Sequence, residues 1–144
     1  MTTYRDLDEQ EKKELQKFPA YVSLLARGKT GGLDKKELQS VIRFTHIKTF
    51  SGNPFLSAFF ADVEKTFEKN MRDLDATLPQ NKEEREMMIR REFGKLEPIC
   101  KKLGRDYARE IMNSMKSYAK QVSKAHRNIL EYFIFPMPIN GITD

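Results

Sequence analysis

Leu56, Phe59, Phe60, Val63, Phe67, Met71 and Leu74 recur at three- and four-residue intervals. At 100° per residue they fall within about half of a helical circumference, so this stretch can only bury its apolar side as a helix. The same period returns elsewhere, and no run rich in Val, Ile or Thr alternates as a half-buried strand does. The longest exception, Tyr132 to Phe135, is short and is stopped by Pro136. The chain is therefore expected to be all-α. With 144 residues, 39% apolar and 33% charged, it suits one compact domain of five or six helices. That domain is expected over residues 1–135, followed by a tail at 136–144.

Start and stop signals divide the pattern. A polar first segment, Asp6 to Lys17, is anchored by Leu7, Leu15 and Phe18. Pro19 suits the first turn of the next helix, Ala20 to Arg27, which is apolar on most sides and is expected to be the most buried. Gly28 to Gly32 ends it. Asp34 and Glu37 form a capping pair before Leu38, Val41, Ile42 and Thr45. Asn53-Pro54 opens the Leu56–Leu74 helix, and Asn81 with Glu84 opens another. The latter carries Met88, Ile89, Phe93, Leu96, Cys100 and Leu103 on one side, with a kink expected at Pro98. A last helix is expected from Asp106 to about Phe133.

Several function classes find little footing. One cysteine makes neither an internal disulfide nor a Cys-built zinc cluster. No stretch approaches the about 18 apolar residues of a spanning helix, and the first residues lack a secretory apolar core. A cytoplasmic location, no membrane association and no cofactor are expected. GGLDKKE has the outline of a calcium loop's closing half. With Glu37 in the closing position, however, the earlier ligand positions are Ala26, Gly28 and Thr30, none a carboxylate. Asp34, Glu37, His46 and His126 are the weak metal candidates. Cys100 reads as a buried thiol, and GKTGG lacks the spacing of a phosphate loop. No catalytic set emerges, so a non-enzyme is expected.

Charge supplies the sharper signal. The 26 cations and 21 acids give +5, but eight cations against two acids lie between Lys101 and Arg127. On a helical wheel Lys102, Arg105, Arg109, Lys116, Lys120, Lys124 and Arg127 share one side, opposite Ile111, Met115, Tyr118 and Val122. The stripe suits an acidic partner, nucleic acid or another polyanion, or else simply solvates a packed helix. No aromatic residue shares that side with the cations, so nucleic acid is not favoured. The apolar tail Tyr132–Ile139 either docks on its own domain or meets a protein partner or second copy.

The run FPAYVSLLARGKTGGLDKKEL, Phe18 to Leu38, resembles the first repeat of the tellurite-resistance TerB-like family. Lys29-Thr30-Gly31 stands at that family's Ala-Asp-Gly turn, Leu33 at its apolar position and Glu37 at its acid. A weaker second copy lies in Ala119 to Leu130, with Lys120, Gln121 and His126 in the corresponding places. The resemblance implies a helical fold, an interaction or stress-response role, and a break near Lys120 to Ser123. That family's acids are proposed to bind metal; here Thr30 and Lys120 stand at the turn aspartates and His126 at the second acid, while Glu37 is kept.

Overall fold

The computed structural model describes residues 2–27, 35–51 and 53–122. A 3-10 turn at Tyr4–Asp6 leads into α1 (Glu9–Gln16), α2 (Phe18–Arg27) and α3 (Lys35–Ser51). A second 3-10 turn, Pro54–Leu56, precedes α4 (Ser57–Thr77), α5 (Lys82–Lys102) and α6 (Arg105–Val122). Among the described residues there is no strand, and the all-α expectation is met.

Each boundary has a chemical cause. Asp8 caps α1 by accepting from the Glu11 amide at 2.8 Å, while Glu11 accepts from the Asp8 amide at 3.1 Å. Asn53 accepts from the Phe55 amide at 2.9 Å, so the Asn-Pro signal opens a tight turn that then feeds α4. Asn81 accepts from the Glu84 amide at 3.0 Å and starts α5. Pro98 lies inside α5 without ending it; Leu103, in extended conformation, does that. The Gly104 amide donates to the Thr2 carbonyl at 2.8 Å, fastening the first residues to the α5–α6 junction.

α2 is the centre. Phe18 through Ala26 are all buried, and α2 packs chiefly against α6 and α4. Around it Phe59, Phe60, Val63 and Phe67 of α4, Ile89, Phe93 and Leu96 of α5, and Ile111 and Met115 of α6 complete one core. Leu38, Val41 and Thr45 of α3 are buried as their spacing requires. Met88 departs from expectation: it is 38% exposed, and the inward place in the first turns of α5 goes to Arg85. That arginine holds Asp75 of α4 and donates to the Pro79 carbonyl, so it locks the α4–α5 connection from within. Among the described residues no helix is long and apolar enough to cross a membrane.

Candidate cationic surface

The outer side of α6 is set by what its inner side grips. Tyr118 is fully buried, its hydroxyl 2.9 Å from the Thr45 hydroxyl of α3. Its ring meets Phe44 edge-on at 4.9 Å and stands near Phe60 and Phe67 of α4. Burial raises its hydroxyl pKa, with the Thr45 bond pulling the other way. Gln121 donates to Ser40 of α3 at 3.0 Å. With Tyr107, Ile111 and Met115 also buried, α6 has no freedom to roll about its axis. Arg105, Arg109 and Lys120 are consequently held outward and exposed, with Lys116 half-buried beside them. The row from Arg105 to Lys120 is about 22 Å long at the helical rise.

α3 packs against α4 and α6 and carries exposed cations of its own. Lys35, Lys36 and Arg43 are exposed on it, and Lys36 and Arg43, seven residues apart, share its outer side. Together α3 and α6 hold eight cations and three acids, whereas α1 and α4 hold five cations and eight acids. The asymmetry is thus a property of the folded body as well as of one sequence segment. The α3 cations lie outside the Lys101–Arg127 segment; the seven-residue spacing of Lys36 and Arg43, opposite Leu38 and Val41, is their signature in the sequence.

Two features of the stripe need correction. Lys102 does not belong to it, because the helix breaks at Leu103-Gly104 and a wheel drawn through that break has no meaning. Instead Lys102 ends α5 and pairs with Glu11 of α1. The hydrogen bond with Lys102 lowers the Glu11 carboxyl pKa, and the same contact raises that of Lys102. The cations are also not all unopposed, since Asp106 lies 3.5 Å from Arg109 one turn back. The helix runs unbroken through Lys120 to Val122. Lys124 and Arg127 lie outside the described residues, as do Asp34, His126 and the tail.

The other candidate residues are occupied separately. Glu37 accepts from Arg27 Nε at 3.0 Å, an arginine whose side chain is only 5% exposed. His46 is exposed and its Nδ1 meets Glu64 of α4, making it a link between α3 and α4. Nine residues of helix put Glu37 and His46 about 13 Å apart along α3. Among the described residues no three His, Cys, Asp or Glu side chains stand together as a metal would require. Cys100 is buried, and burial pushes its thiol pKa up to about 12.

No family model, curated protein or solved structure matches this chain.

Proposed function

We propose that this chain is a non-catalytic, TerB-like helical binding module of the cytoplasm that engages an acidic protein partner through α3 and α6. The observation that carries this reading is the rigidly held cationic side: Arg105, Arg109 and Lys120 exposed on a helix that Tyr118 and Gln121 lock in place. A locked support lowers the entropy that binding must overcome. Opposite charge steers encounter and fixes orientation.

Polyglutamate and a short DNA duplex, titrated against the full chain at two salt concentrations, test it. Polyglutamate binding should weaken as salt rises from about 50 to 200 mM. The triple variant Arg109→Glu, Lys116→Glu, Lys120→Glu should lose at least about tenfold, since each reversal changes a rim charge. Affinity indifferent to both salt and the variant overturns the reading. Tight binding of the duplex alone replaces the protein partner with nucleic acid. The stress-response part of the proposal rests on the Phe18–Leu38 resemblance, and unchanged tellurite tolerance after deletion of the chain removes it.

A further inference from the structure

Away from the outer side of α6, a half-open cavity of about 260 Å³ lies where the N-terminal turn, the Pro54–Leu56 turn, α4 and α6 meet. Its apolar wall is Pro54, Phe55, Ala58 and Tyr107, and Arg5 and Ser57 supply its polar groups. Phe55 stands edge-on to Tyr107, with ring centres 4.9 Å apart and planes at 83°. Tyr107 is buried, while Phe55 is 38% exposed, an aromatic face left towards solvent inside a concave site. We infer that this cavity binds a small monocyclic or short aliphatic carboxylate, with the apolar body against Phe55 and the carboxylate on Arg5.

The supports of the cavity are built in. Tyr4, next to Arg5, is buried; its hydroxyl donates to Asp62 of α4 at 2.7 Å and accepts from Gln16 of α1 at 2.7 Å. The turn that presents Arg5 is therefore fixed to two helices. Thr3, also at the cavity, donates from both its amide and its hydroxyl to Asp6, at 2.8 and 3.3 Å. Asp6 is engaged within its own turn, and the Thr3 hydroxyl proton is already used. Arg5 and the Ser57 hydroxyl are accordingly the donors open to a ligand, and a guanidinium pairs best with a planar carboxylate. The volume falls below the about 300–1,000 Å³ of drug-sized sites, which limits the occupant to roughly one small ring.

Benzoate and its neutral counterpart benzamide, titrated into the full chain while amide resonances are followed, test the proposal. Benzoate should shift the Phe55, Ser57 and Tyr107 amides saturably and benzamide should bind more weakly. Arg5→Gln should cost about tenfold in benzoate affinity, the scale of one hydrogen bond to a charged group. Arg5→Lys should recover part of that loss, and Phe55→Ala should weaken both ligands. Both side chains are exposed or half-exposed, so amide positions elsewhere should stay unchanged and report an intact fold. An absence of saturable shifts, equal binding of benzamide, or Arg5→Gln binding benzoate like the parent overturns it.

Discussion

α2 and α5 represent opposite ways of making a helix in one small protein. α2 has nine of its ten residues buried and no charge before Arg27, so its place is fixed by packing on every side. α5 is twice as long, has charge at twelve of its 21 residues, and buries a single stripe. Ser23 of α2 is buried and turns its hydroxyl back onto the Pro19 carbonyl at 2.8 Å, while α5 leans on its cap, its inward arginine and its contacts with α1 and α2. The lesson is that stability is concentrated at the centre and surface chemistry is distributed over helices that share it.

The broadest way to break this contrast is high pH, because each helix hides a group that burial keeps protonated. Burial raises Tyr21 of α2 well above its ordinary 10.0, and raises Cys100 of α5 from 9.0 to about 12. Tyr107 rises to about 12 for the same reason. A raised folded-state pKa means the native chain holds protons that the unfolded chain releases. Stability is then fully present below pH 9 and is lost as pH rises through 10 towards 12. Helical circular dichroism followed against pH should fall in that range together with the appearance of tyrosinate absorbance. More than one tyrosinate appearing near pH 10 with helicity intact would contradict it.

Phe18→Ala, which empties a fully buried site against Phe93, should cost about 4 kcal/mol in urea unfolding. Arg85→Met strips Asp75 of its partner inside the α4–α5 connection; a loss of about 3 kcal/mol is expected. If it costs less than the Phe18 substitution by far more than this margin, α5 is held by its apolar stripe alone. Asn81→Ala, removing the α5 cap, should cost about 1 kcal/mol. Gly94→Ala should run the other way. Beyond its own stretch of helix backbone nothing lies within 4 Å of the new Cβ, so the helix should gain about 0.5–1 kcal/mol.

The legibility of the molecule follows the same divide. Period and capping residues placed α2, α4 and the start of α5, because local chemistry decides them. The buried faces of α3 and α4 followed, since apolar spacing needs no knowledge of neighbours. What escaped were contacts made across the fold. Arg27 with Glu37, Arg85 with Asp75, and His46 with Glu64 are pairs whose members sit on different helices. On a continuous wheel Lys102 falls with the α6 cations because only Leu103 and Gly104 separate the two helices. Tyr4 gave no period to read, yet it is buried through a bond to Asp62. The cationic surface was half legible: its α6 row lies in one segment, while its α3 half depends on how two helices pack.

The fastening of Thr2 to Gly104 carries a consequence for the time order of folding. The N-terminal turn and α1 likewise find partners far along the chain, Tyr4 at Asp62 and Glu11 at Lys102, 58 and 91 residues on. A ribosome adding about 5–20 residues per second makes the Thr2 carbonyl wait roughly 5–20 s for the Gly104 amide. The segment around Thr2, made long before its partner, is therefore among the last to be sealed. Tyr4 can be covered once Phe59 and Asp62 of α4 have been made, whereas the Thr2 and Glu11 contacts wait for the α5–α6 junction.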